Sequence, residues 1–126
     1  MGNECSYSEE MLRIKGKIEG IIKDAVSRKS NEVLDFGGMD NQVQADGSNG
    51  TYIYIRIEPK RINLSNVTIA EQRKGILSEI VNKLKADKDI NKQIVISSVI
   101  TDEMRNFCKK MGATLDTHYG VEDYIM

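Results

Sequence analysis

The residues of this 126-residue chain best placed to do chemistry lie between Val67 and Leu84, V-T-I-A-E-Q-R-K-G-I-L-S-E-I-V-N-K-L. An apolar strand end runs into a polar loop, Glu71 to Lys74, and then Gly75. After it Ile76, Ile80, Val81 and Leu84, with Leu77 beside them, recur at the spacing of one buried helix face. Gln72, Arg73, Lys74 and Gly75 therefore stand where a strand hands over to a helix. Unpaired N–H groups and the positive end of the helix dipole meet there and hold anions, phosphates above all. Basic side chains in a first helical turn face the wrong end of the dipole, at a cost of about a few tenths of a kcal/mol each. An anionic ligand would reverse that sign for Arg73 and Lys74. The competing reading is an earlier helix start: Thr68 and Glu71 fit a T-x-x-E capping box, which would make both basic residues ordinary solvated helix positions.

Gln72-Arg73-Lys74-Gly75-Ile76-Leu77 resembles the acyl-CoA loop of the GNAT superfamily of N-acetyltransferases, Q/R-x-x-G-x-G/A between a strand and a helix. Gln72 and Gly75 match, and Leu77 stands where a second Gly or Ala is usual. Phe107-Cys108-Lys109-Lys110-Met111-Gly112 resembles a later family segment, N-x-x-A-x-x-L/F-Y-x-K-x-G-F, with Phe107, Lys110 and Gly112 in register. Cys108 takes the position of the family's tyrosine, Thr101 that of its asparagine and Ala113 that of its last aromatic. The resemblance implies that acetyl-CoA is the co-substrate. Its pantetheine arm would pair with backbone at Val67, Thr68 and Ile69, and its pyrophosphate would rest on amides from Gln72, Arg73, Lys74, Gly75 and Ile76. It also implies direct attack of an amine on the thioester, which depends on positioning and on polarisation of the carbonyl. The tyrosine would protonate the departing thiolate; with Cys108 in its place, Tyr119 or Tyr124 are the substitutes the sequence offers. Glu58 and Glu71 flank the strand before the loop, which itself carries no carboxylate. The amine acceptor is not identified.

A rival reading keeps the fold and loses the reaction: a GNAT-like binding protein, of the sort encoded by viruses or plasmids, that docks on a protein partner. Leu77, Cys108 and a short N-terminal half suit it. A third is an α+β module unrelated to that family, which would lack a bulge near Ser65 and an open slot beside it.

Composition narrows the field. A net charge of −1 gives no field that favours nucleic acid or an anionic membrane. With no Trp and only two Phe, a stacking platform for bases is not expected, and the core must be aliphatic. No apolar run is long enough to span a bilayer. Cys5 and Cys108 make no disulfide framework and read as reduced thiols in a cytoplasmic protein. No metal is expected: His118 is the single histidine, with no ligand-type partner nearby, and reads as a surface strand residue. Asp46-Gly47-Ser48-Asn49-Gly50 hints at a calcium loop but has Thr51 where Gly and Ile57 where Glu would be needed. Met1-Gly2-Asn3-Glu4-Cys5-Ser6 fits a myristoylation pattern without the basic residues that would support a single chain. A homodimer is open to it.

The elements that must position these residues follow from pattern. Residues 1–7 read as a tail. Ser6 and Glu9 form a capping box for a helix carrying Met11, Ile14, Ile18, Ile21, Ile22 and Ala25 on one face to Arg28. Residues 32–36 are a short strand, and residues 37–50 read as the least ordered stretch. Thr51 to Glu58 alternates as a strand, with Ile53, Ile55 and Ile57 on one face and Tyr52 and Tyr54 on the other. After the Pro59-Lys60-Arg61 turn, Ile62 and Leu64 share one parity and Val67 and Ile69 the other. One extra residue near Ser65-Asn66, a β-bulge, brings all four to one face. The helix at 75–86 and a strand at 93–100 complete a βαβ unit with a parallel pair. Thr101 caps a helix with Met104, Phe107, Cys108 and Met111 on one face, Gly112 ends it, and residues 113–126 read as a closing hairpin. On that face Cys108 reads as a buried core thiol before a nucleophile. The expected fold is α+β: one domain over residues 1–126, a central mixed sheet with a bulged strand, one βαβ unit, helices on both faces and a C-terminal hairpin. The GNAT resemblance is best over residues 50–126.

Overall fold

The structure, a computed structural model, describes residues 2–70, 75–99 and 101–126, with side chains from residue 9 onward. The chain runs α1 (Gly2–Lys29), β1 (Leu34–Gly37), β2 (Gln42–Gly47), β3 (Tyr52–Ile57), β4 (Arg61–Thr68), α2 (Ile76–Ala86), β5 (Gln93–Ile96), α3 (Asp102–Lys110), β6 (Thr114–His118) and β7 (Val121–Ile125). The strands form one open mixed sheet in the order β1-β2-β3-β4-β5-β7-β6. β4 and β5 are parallel, and the other neighbours are antiparallel.

Alternation sets the buried face. Ile53, Ile55 and Ile57 of β3 point to one side and are fully buried with Val43 and Ala45 of β2. Ile14, Ile18, Ile22 and Ala25 of α1 lie against them, and Ile80, Val81 and Leu84 of α2 close the same aliphatic core. Full burial of one such side chain contributes about 1.5–3 kcal/mol, so this seam is the main source of stability. Across the sheet Ile55 faces Leu64, Leu64 faces Ile96 and Ile96 faces Tyr124. Tyr124 and Cys108 of α3 belong to that same core.

This register corrects the expectation of helices on both faces. β4-α2-β5 and β5-α3-β6 are successive parallel crossovers that progress the same way along the sheet. With the usual right-handed connection, both helices fall on one side, where α1 also lies. The other face carries Gln44, Tyr52, Tyr54 and Arg56, and Arg56 is exposed there. Tyr52 and Tyr54 are half-buried there, as their parity requires. Val95 also points to that face and is buried in register between Asn63 and Ile125.

Two N-terminal expectations also change. The backbone is helical from Gly2, so residues expected as a tail belong to α1, and the Ser6–Glu9 box does not mark its start. The stretch expected to lack order contains β2, because Val43 and Ala45 alternate inward beneath its polar residues. The bulge is where parity places it: Tyr54 pairs with Asn66 and Ile55 with Leu64, which leaves Ser65 as the extra residue.

Candidate functional site

The site forms where β4 outlasts β5. Their pairing ends at Leu64–Ile96, and the last rung is Ser97 N donating to Leu64 O at 3.0 Å. Past the bulge, Asn66, Val67 and Thr68 stay paired to β3 alone among the described residues. The edge of β4 that faced β5 is thereby released, and a cleft of about 600 Å³ opens beside it. Val67, Thr68 and Ile69 form one side, and Gly75, Ile76, Leu77 and Ser78 at the start of α2 form a second. Thr101, Glu103, Met104, Phe107, Lys110 and Met111 of α3 form the third.

Local sequence explains each wall. Thr68 is the last residue of β4, and α2 begins at Ile76 after Gly75, which has φ 73°; Glu71, the other half of the expected capping box, lies outside the described residues. That left-handed backbone favours glycine, and a Cβ there would also meet Lys29 Nζ at 3.2 Å. Gly75 offers no side-chain cap. Ser78 Oγ donates back to Gly75 O at 3.0 Å, and Lys29 Nζ lies 3.7 Å from Glu79. The dipole end of α2 therefore opens at one end of the cleft with a cation close by. On α3, Thr101 Oγ1 accepts from Met104 N at 3.2 Å, and Gly112 takes the left-handed position at φ 77°. The helix between them turns Cys108 into the core and leaves Met104, Phe107 and Met111 half-buried along the cleft. The ionisable side chains on the described walls are Glu103 and Lys110.

Val67, Thr68, Ile69, Gly75 and Ile76, expected from the sequence at the acyl-CoA site, all line the cleft. Gln72, Arg73 and Lys74 lie outside the described residues, as does Glu71. The three expected acid candidates do not line it. Cys108 is completely buried, and burial pushes its thiol up to about 11. Tyr124 is buried beside it, with its hydroxyl 3.4 Å from Glu122 Oε1; burial first, then Glu122, raises its pKa. Tyr119 is fully exposed at the β6–β7 turn, φ 51°, ahead of Gly120. His118 is a half-exposed strand residue whose Nε2 lies 3.0 Å from Asp123 Oδ2. The residues the sequence did not assign to the site are the α3 wall and Ser78. The i, i+3, i+7 stripe of α3 was visible, but not that it faces an opening.

Among the described residues no group of three or more His, Cys, Asp or Glu is placed to hold a metal ion. Among them, too, no helix is long and apolar enough to cross a membrane. Compared with known proteins, the chain matches no family model, no curated protein and no solved structure.

Proposed function

We propose that the protein is a small GNAT-like N-acyltransferase that moves an acyl group, acetyl in the simplest case, from acyl-CoA to an amine. The observation that carries this reading is the bulge at Ser65 followed by the parting of β4 and β5, which opens a cleft beside the N-terminus of α2. A pantetheine arm has amides that need partners, and the released backbone of Val67 to Ile69 supplies them. A pyrophosphate fits the α2 start near Lys29, where Gly75 brings no side-chain cap. The amine would attack the thioester carbonyl, the tetrahedral adduct would collapse, and the thiolate would leave with the amine's proton returned through water or a side chain. Glu103 is the carboxylate on the described walls that could take that proton.

A second reading, a GNAT-like binder that does not catalyse and acts on a protein partner, has its own support. Cys108 stands at the acid position yet is buried with a raised pKa, and neither Tyr119 nor Tyr124 lines the cleft. Losing a general acid forfeits about 10²–10⁴-fold, which can take a slow enzyme out of use.

Calorimetric titration with acetyl-CoA tests both, with Gly75→Glu as control and a thermal melt to show that the control folds. Binding that the control loses supports the cleft as an acyl-CoA site, and a screen of amines with release of free thiol then separates enzyme from binder. No binding up to millimolar ligand ends the enzyme reading, and pull-down of partners takes its place.

A further inference from the structure

The walls of the cleft differ in chemistry, and the difference bears on which acyl group enters. Along β4 the wall is backbone with hydrogen-bonding capacity released by the end of the β4–β5 pairing. At the α2 start it is a dipole end, with Lys29 beside Gly75. Along α3 it is a stripe of Met104, Phe107 and Met111, which offer no strong donor or acceptor, with Glu103 and Lys110 beside it. Those three are only half-buried, although Cys108 in the same helix is completely buried. Leu77 and Ile76 face the cleft from the other side.

α2 follows β4 and α3 follows β5, and those strands are parallel. Both helices therefore begin at the same end of the sheet, and the apolar wall runs away from the anion-favouring end. From Met104 to Met111 it extends about 10 Å along the helix. A ligand that matches has an anionic head, an amide-bearing arm and an aliphatic chain. The arm cannot satisfy its amides against Met and Phe, and burying them there unpaired is costly. It belongs on the β4 edge, which leaves the α3 wall for the chain.

We propose that the acyl group is a medium-length aliphatic chain laid along Met104, Phe107 and Met111. This deepens, and rests on, the reading of the cleft as an acyl-CoA site.

Calorimetry with acetyl-CoA, octanoyl-CoA and free octanoate separates the two ideas. Each methylene removed from water is worth about fourfold in affinity. Burying two or three of the added methylenes makes octanoyl-CoA about 15- to 60-fold tighter than acetyl-CoA. In Met104→Gln and in Phe107→Ser, each checked by thermal melt, that ratio falls to within a few-fold. Equal affinity for both esters overturns the chain proposal and leaves the acyl-CoA reading standing. Octanoate binding as tightly as octanoyl-CoA means that the CoA part contributes nothing, and overturns the proposal. Failure of both esters to bind removes the acyl-CoA reading itself.

Discussion

Glu32 and Thr51 are joined twice: Glu32 Oε1 accepts from Thr51 N at 2.8 Å and Oε2 from Thr51 Oγ1 at 2.5 Å. Oε1 also accepts from Asn49 N at 2.9 Å, and Thr51 Oγ1 accepts from Ala70 N at 3.0 Å. One buried carboxylate thus ties the α1–β1 connection to the β2–β3 turn, and through Thr51 to the backbone that leaves β4 toward the cleft. Burial pushes Glu32 up, but the hydrogen bonds from Thr51 and Asn49 outweigh it and its pKa is lowered.

Removing that carboxylate leaves buried donors without a partner, so Glu32→Ala costs about 2–3 kcal/mol, or roughly 10 °C in Tm. Gly47 provides a second arm of the test, since a Cβ there would run into the Glu32 carboxylate. Gly47→Ala destabilises the parent by about 1–3 kcal/mol and costs clearly less in the Glu32→Ala background. Denaturant titration of the four proteins measures the coupling. Additive effects would mean that Glu32 does not occupy the space beside Gly47.

The bulge makes a cleaner prediction for the site. Deleting Ser65 restores strict alternation through Ile62, Leu64 and Val67 while keeping the Tyr54–Asn66 and Ile55–Leu64 pairs. The core residues stay on their face, and Tm moves by only a few degrees, on the order of 1 kcal/mol. The strand loses its extra twist and the gap beside β5 narrows, so the acyl-CoA binding proposed above weakens at least about tenfold, roughly 1.4 kcal/mol. Unchanged binding in the deletion variant would detach the cleft from the bulge.

How far the sequence reaches differs from element to element. The bulge was legible because Ile62, Leu64, Val67 and Ile69 disagree in parity, a signal carried by four side chains on one strand. The limits of α3 were legible because Thr101 and Gly112 have local backbone roles. β2 was not, because Gly, Asp, Asn and Gln dominate its neighbourhood and hide the two-residue period of Val43 and Ala45. Glu32 was not, since a lone glutamate beside exposed Val33 gives no sign that its partners come from Asn49 and Thr51. The side of the sheet on which α2 and α3 lie depends on the direction of successive crossovers, and the exposure of the α3 stripe depends on where β4 and β5 part. Those relations are long-range and leave no local pattern.

Cys108 should be chemically quiet. Burial pushes its thiol up to about 11, so the thiolate is scarce at pH 8. In a Cys5→Ser background, reaction with a disulfide reagent is at least about 100-fold slower in the folded protein than after unfolding in urea. Cys108→Tyr overpacks a fully buried site and costs about 1–3 kcal/mol. Rapid reaction of the folded protein would return the thiol to the list of functional groups.

Asp24 joins α1 to α2 at their exposed rim. Arg28 bonds it at 3.0 Å and Lys83 at 2.9 Å, and these hold its carboxyl at about 2. The folded pKa lies below the ordinary value of 3.8, so the stabilisation is present above that value and is lost as pH falls through about 2. Carboxyl NMR titration checks it. In Lys83→Met the midpoint moves upward but stays below 3.8, because Arg28, the larger cause, remains. An Asp24 that titrates at its ordinary value in the parent would show that the rim pairs do not persist in solution.

His118 gives the opposite sign. Its hydrogen bond to Asp123 raises its pKa above 6.5, with Asp116 contributing from the same strand. Asp123 also accepts from Ser98 N at 2.9 Å, holding Ser98 at φ 54°, and is further favoured as an anion by Arg61. A raised folded pKa means that the His118 contribution is fully present below pH 6.5 and fades as pH rises through the folded value. Ring-proton NMR titration should place the midpoint above 6.5 in the parent and closer to 6.5 in Asp123→Asn. The asparagine can still accept from Ser98 N, so the turn after β5 survives in that variant. Loss of the Ser98 amide's hydrogen-exchange protection there would mean that the charge of Asp123, rather than its oxygen, holds the turn.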